Sequence, residues 1–202
     1  MSKLDIQRDV PLAPFTTLEL GGPAKHFARA EDEQTLVEAL RWAADRSLPA
    51  AILGGGSNLI VPDAGYAGLV VHVALDELEL DAGEVRAGAG VPWERVVDSA
   101  VERGWAGVEC LTGIPGSTGA TPIQNVGAYG QEVGEVIRRV RVIRRDTLAS
   151  EELSAEECDF SYRNSLFKRE PDRFVVTEVV FATRPGGSPT VRYAELEKSV
   201  AA

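Results

Sequence analysis

At 202 residues, 44% hydrophobic and 26% charged, the sequence has the composition of one large globular domain or two small ones. Its formal net charge of −10 repels polyanions, so nucleic acid and anionic membrane surfaces are excluded as default partners. The two cysteines, Cys110 and Cys158, lack metal-ligand or disulfide-framework spacing, the start MSKLDIQRDVPLAPF has no signal-peptide core, and no apolar run nears 18 residues; these features read as a cytoplasmic protein with reduced thiols and no metal.

Residues 31–46, EDEQTLVEALRWAADR, predict a helix. Leu36, Ala39, Leu40 and Ala43 fall at i, i+3, i+4 and i+7, acids fill the first turn and Arg46 lies in the last. Short apolar runs follow: AAIL (50–53), a glycine turn, LIV (59–61) and, after Tyr66, LVVHV (69–73). All read as buried strands. A second helix opens at Pro92 and stops before Gly104, with Trp93, Val96, Val97, Ala100 and Val101 as its apolar stripe. Residues 139–143 and 174–181 read as strands, and Ser154 with Glu157 has capping-box spacing for a short helix. Arg138, Arg139, Arg141, Arg144 and Arg145 interleave with Val140 and Val142, the pattern of a strand's wet face. RPGGSP (184–189) reads as a turn or linker. The expected architecture is α+β in two subdomains, residues 1–75 and 76–188, with 189–202 leading onward.

Two glycine-rich segments stand apart from these elements. GGGSN (54–58) and GIPGSTGATPIQNVGAYGQE (113–132) let backbone N–H groups converge on a ligand oxygen, because no Cβ blocks the approach. The second segment contains no lysine, arginine or histidine. A diphosphate fits such loops, since main-chain donors and helix N-termini hold it without a salt bridge. Pro122 stands where it could open a short helix over residues 123–129. The familiar nucleotide signatures fail: GxGxxG would need glycine where Leu59 and Trp93 stand, and there is no GK dipeptide for a P-loop. GGGSN also reads as joining strand to strand, unlike the Rossmann turn. The plain alternative for either loop is a tight turn; together they point to a phosphorylated cofactor.

LGGGSNLIV, then GIPGSTGATPIQNVGAYGQE, then CDFSYRNSLFK resembles the UDP-N-acetylenolpyruvoylglucosamine reductases of peptidoglycan synthesis, with FTTLELGGPA and VRYAEL in the same order. The resemblance implies a two-subdomain FAD-binding fold of the vanillyl-alcohol-oxidase type, with FAD held non-covalently and reduced by NADPH. It implies hydride transfer to the enolpyruvyl double bond of a small UDP-sugar substrate. Gly54, Gly55, Gly56, Ser57 and Asn58, with Gly113, Ile114, Pro115, Gly116, Ser117, Gly119 and Ala120, would hold the cofactor diphosphate. Gln124, Asn125, Gly127, Ala128 and Tyr129 match the continuation along the cofactor. Arg163 matches the family's active-site arginine; Tyr162 beside it and Tyr193 in VRYAEL match substrate-side positions.

The resemblance also implies a third, substrate-binding domain beyond the VRYAEL region. That domain would bring a proton-donating serine in a GSFFKNP-like motif and a late glutamate. The sequence, which ends EKSVAA, holds no such motif. The expectation is a chain that binds FAD and turns over the natural substrate poorly, because general-acid help is worth about 10²–10⁴-fold. Two rival readings are a non-catalytic FAD-binding module and a flavoprotein oxidase with covalent flavin. Against the oxidase, the only histidines, His26 and His72, lie outside the glycine loops, and His72 reads as packed within its strand.

Overall fold

The computed structural model describes residues 4–190 and 192. Its first strand, β1 (Gln7–Pro11), pairs antiparallel with β2 (Pro23–Ala30). The predicted helix follows at once. Asp32 takes an extended N-cap backbone and accepts the Thr35 amide at 2.6 Å, so α1 spans Glu33–Ala44 and buries Leu36, Ala39, Leu40 and Ala43. β3 (Ala50–Leu53) and β4 (Tyr66–Val73) then complete a sheet of order β1-β2-β4-β3, in which β4 runs parallel to both neighbours. The LVVHV run is continuously apolar because β4 is covered on both faces. Leu69, Val71 and Val73 join the main core, while Val70 joins Leu12, Ala24, Phe27 and Leu53 on the other side.

LIV at 59–61 is not a strand, contrary to expectation. Ile60 is 84% exposed and the segment pairs with no ladder. It runs alongside Gly21 and Gly22 instead, so close that a Cβ on Gly22 would stand 2.0 Å from the Asp63 carbonyl oxygen. GGGSN therefore leads from β3 into an irregular passage rather than directly into another strand.

The second sheet is antiparallel. β5 (Leu78–Asp81) and β6 (Glu84–Gly88) form a hairpin turned by Ala82 and Gly83, both at positive φ. α2 (Trp93–Glu102) buries Trp93, Val96, Val97 and Ala100, and Trp93 packs on Phe181 at 5.5 Å. Val101 is exposed, since it lies roughly a quarter turn from the centre of that stripe. After β7 (Trp105–Ala106), α3 (Thr121–Gln124) is a single turn, shorter than the sequence suggested. Asn125 stops it by taking a left-handed φ of 44°, and the following residues form a hairpin of β8 (Gly127–Ala128) and β9 (Gln131–Glu132).

β10 (Ile137–Arg144) pairs with β11 (Ser150–Ser154), and the predicted capping box of Ser154 and Glu157 opens α4 (Ala155–Cys158). α5 (Leu166–Arg169) precedes β12 (Phe174–Ala182), which lies between β10 and β6; β13 (Arg184–Pro185) returns to β7. The order is β11-β10-β12-β6-β5. Arg139 and Arg141 lie on the polar face, paired with Glu84, Glu152 and Glu178. One apolar core runs beneath both sheets, from Leu36 and Val71 to Val97, Val140 and Val179. Among the described residues no helix is long and apolar enough to cross a membrane.

Candidate cofactor-binding site

The two glycine segments meet although about sixty positions separate them. The Gly55 amide donates to Ser117 Oγ at 3.2 Å, Ser57 Oγ donates to the Pro115 carbonyl at 3.3 Å, and Asn58 Nδ2 donates to Gln124 Oε1 at 3.3 Å. The contact is close. A Cβ on Gly54 would stand 2.5 Å from Ser117 Oγ, and one on Gly55 2.8 Å from Gly116 Cα. Small residues are thus required first by one loop packing on the other, a refinement of the reason read from sequence. Positive φ is needed at Gly56 (66°) and Gly116 (119°).

Behind the contact lies a cavity of about 490 Å³, within the usual range for small-molecule sites of about 300–1,000 Å³. One end is lined by Gly54 through Asn58, Ser117, Gly119, Ala120 and Gln124. The amides of Gly56, Ser57, Asn58 and Ser117 have no hydrogen-bond acceptor among the described residues. Several such donors on one wall form a nest for anionic oxygen without a cationic side chain. The other end is apolar, built from Ala51, Ile52, Tyr66, Phe167, Phe174 and Val176. A dinucleotide matches both ends: phosphate oxygens for the amides, an aromatic ring for the apolar wall.

Sequence reasoning missed that second wall. Arg145, read as part of a wet strand face, lines the cavity, donates to the Ala50 carbonyl at 2.6 Å and faces Asp172 at 3.5 Å. The signal was its position, one residue beyond β10, where strand alternation no longer applies.

The remaining described candidates do not line the cavity. Pro115 and Gly116 meet the 54–58 loop, Gly113 and Ile114 precede them in the chain, and Gly127, Ala128 and Tyr129 belong to the β8–β9 hairpin. Asn125 is buried, with its amide spent on protein partners. Tyr162 and Arg163 form the tip of a tight turn in which Ser161 and Asn164 exchange both backbone hydrogen bonds; Tyr162 is 81% exposed and Arg163 is exposed. Ser165 Oγ donates to the Ile123 carbonyl at 2.7 Å, tying this turn to a residue of the cavity wall. Asn125, Tyr129 and Arg163 all hold positive φ, the kind of backbone strain that gathers at functional sites. Tyr193 lies outside the described residues. No group of three or more metal-ligating side chains occurs among the described residues.

A mixed sheet packed by α1 and an antiparallel sheet, sharing one core beside a glycine-lined cavity, define a dinucleotide-binding domain of the flavoprotein type. The chain belongs to the FAD-binding domain family, whose sequence pattern matches residues 24–147. It is similar to the UDP-N-acetylenolpyruvoylglucosamine reductases of Streptomyces avermitilis, at 46% identity over 194 residues, and Thermobifida fusca, at 47% over 199 residues. These matches cover 95% and 96% of this chain but 53% and 56% of those proteins, so the chain spans about half the length of the curated relatives it matches.

Among solved structures, a UDP-N-acetylenolpyruvylglucosamine reductase from Thermus caldophilus superimposes with a TM-score of 0.76 at 29% identity, covering 92% of this chain and 64% of that one. A 6-hydroxy-D-nicotine oxidase from Arthrobacter nicotinovorans shares the fold, with a TM-score of 0.62 at 24% identity over 80% of this chain and 36% of its own. The expected α+β fold of the vanillyl-alcohol-oxidase type is borne out.

Proposed function

We propose that this chain holds FAD non-covalently for the NADPH-driven reduction of UDP-N-acetylglucosamine enolpyruvate to UDP-N-acetylmuramate, a cytoplasmic step of peptidoglycan precursor synthesis. The observation that carries the reading is the set of amides at Gly56, Ser57, Asn58 and Ser117, without an acceptor among the described residues, on the wall of one cavity. The names of the relatives support the choice of reaction. Gly54–Asn58 with Ser117, Gly119 and Ala120 take the diphosphate, Gly113–Gly116 support that loop from outside the cavity, and Gln124 extends the wall toward the segment from Asn125 to Tyr129. Phe174 and its apolar neighbours exclude water from a ring system. When bound, FAD supplies hydride transfer between NADPH and the substrate double bond. Arg163 then faces the substrate carboxylate, where its guanidinium stabilises the charge that develops during transfer. Tyr162 and Tyr193 contribute on the substrate side.

The test is the visible absorbance of the purified chain, with the released cofactor identified. A bound FAD spectrum is expected; a colourless chain that also refuses added FAD overturns the reading. A second reading, an FAD-binding module without turnover, is favoured by the exposure of Tyr162 and Arg163. Substrate-dependent NADPH oxidation separates the two.

A further inference from the structure

Asn125 is 2% exposed and spends its whole side-chain amide on three partners. Oδ1 accepts the Gly134 amide at 2.9 Å, while Nδ2 donates to Glu132 Oε2 at 2.7 Å and to the Ser161 carbonyl at 2.9 Å. The orientation is forced, because the Gly134 N–H only donates and the Ser161 C=O only accepts. The partners come from different segments. Glu132 closes the β8–β9 hairpin, Gly134 sits in the helical turn after it, and Ser161 opens the turn that presents Tyr162 and Arg163. On its other side Asn125 follows Gln124, which lines the cavity and bonds Asn58.

We propose that Asn125 is the positioning residue of the Tyr162–Arg163 turn, fixing that turn against the glycine segment. The proposal rests on the reading of Arg163 as the substrate-facing arginine. Ser161 and Asn164 hold each other through two backbone bonds of 3.0 and 2.9 Å, so pinning the Ser161 carbonyl places the base of the two-residue tip. Asn125 caps α3 with a left-handed backbone, a conformation that asparagine tolerates better than most residues.

The chemistry selects an amide specifically. Asn125→Asp keeps the shape and the acceptor for Gly134 but removes both donors. It sets a carboxylate against Glu132 and against the Ser161 carbonyl, turning two attractions into repulsions. Adding Glu132→Gln gives the aspartate a donor from the hairpin side, while the clash with Ser161 stays. Fold stability and turn placement can therefore be separated.

The experiment is amide hydrogen exchange on the full chain for wild type, Asn125→Asp and Asn125→Asp/Glu132→Gln, with a thermal melt of each. In Asn125→Asp the Ser161 and Asn164 amides are expected to exchange at least tenfold faster than wild type, with β10 and β12 amides little changed. In the double variant the melting temperature recovers and the turn amides stay fast. Turn protection that is unchanged in Asn125→Asp, or that returns together with the melting temperature, overturns the proposal. If Asn125→Asp alone does not fold, Asn125→Ser, which introduces no charge, carries the same comparison. Exchange is read without added cofactor, so failure of the FAD reading shows separately in the absorbance test.

Discussion

The Gly55 amide donates to Ser117 Oγ across 3.2 Å, and a Cβ added to Gly55 would stand 2.9 Å from the Ser117 nitrogen. The two loops of the candidate site are therefore a single packed unit. Gly55→Ala forces backbone apart on both sides, an overpacking that costs about 1–3 kcal/mol. For a chain of this size each kcal/mol lowers the melting temperature by about 2–4 °C. We expect a clear drop in the thermal melt and at least a tenfold loss of FAD affinity. Gly113→Ala is the contrast: nothing lies within 4 Å of its Cβ position, and only its φ of 73° resists the change. It should cost about 1 kcal/mol and leave FAD affinity nearly intact. Equal behaviour of the two variants would contradict the packing account.

What the sequence made legible was local. α1, α2 and the capping box of Ser154 each announce themselves through neighbours within four positions, and each lies where it was read. The 59–61 run misled because three apolar residues fit a strand as well as any extended passage, and only the partner decides. β4 already occupies the inner edge of β3, and Ile60 is left in solvent. The site was half legible for the same reason. Glycine-rich loops are visible as composition, whereas the opposite wall is assembled from β3, Tyr66, Arg145 and the start of β12, which only the tertiary fold brings together.

His72 makes stability depend on pH. Its ring lies edge-on to Phe15 at 5.3 Å, and Nδ1 is buried with no hydrogen-bond partner among the described residues. Burial, and secondarily the charge of Arg29, lower its pKa below the ordinary 6.5. With the folded pKa below the unfolded one, the unfolded chain binds the proton more readily. The stabilisation is present above pH 6.5 and is lost as pH falls from there through the folded value. Melting curves should shift to lower temperature below pH 6.5, with a shallower slope in His72→Phe. An identical slope in the variant would remove His72 as the cause.

The two thiols should differ in reactivity. Cys158 is fully buried, and burial, aided by the charge of Glu157, pushes its pKa up to about 12. Cys110 is half-buried; its thiol donates to the Thr190 carbonyl at 3.2 Å, and burial together with the Glu109 charge raises its pKa against the opposing effect of Arg192. Thiolate is the reactive form. At pH 8 an aromatic disulfide reagent should modify Cys110 slowly and reach Cys158 only on unfolding. Two rapidly reacting thiols in the native chain would show that the buried setting of Cys158 is wrong.

Arg145 is the cationic side chain lining the cavity among the described residues, and its two contacts are unequal. The bond to the Ala50 carbonyl is short, at 2.6 Å, and links the residue after β10 to the start of β3, both of which line the cavity. The pairing with Asp172 is 3.5 Å long to a carboxylate whose side chain is 95% exposed, and such pairs contribute about 0–1 kcal/mol. Hydrogen bonds from charged donors are worth about 1.5–3 kcal/mol. Arg145→Leu keeps the apolar stem, removes the strut and should weaken FAD binding about tenfold in a flavin titration. Asp172→Asn should change it less than about threefold. If Asp172→Asn instead matches Arg145→Leu, the ion pair and not the carbonyl bond frames that wall. If neither variant moves the flavin affinity, the apolar end of the cavity does not receive the cofactor.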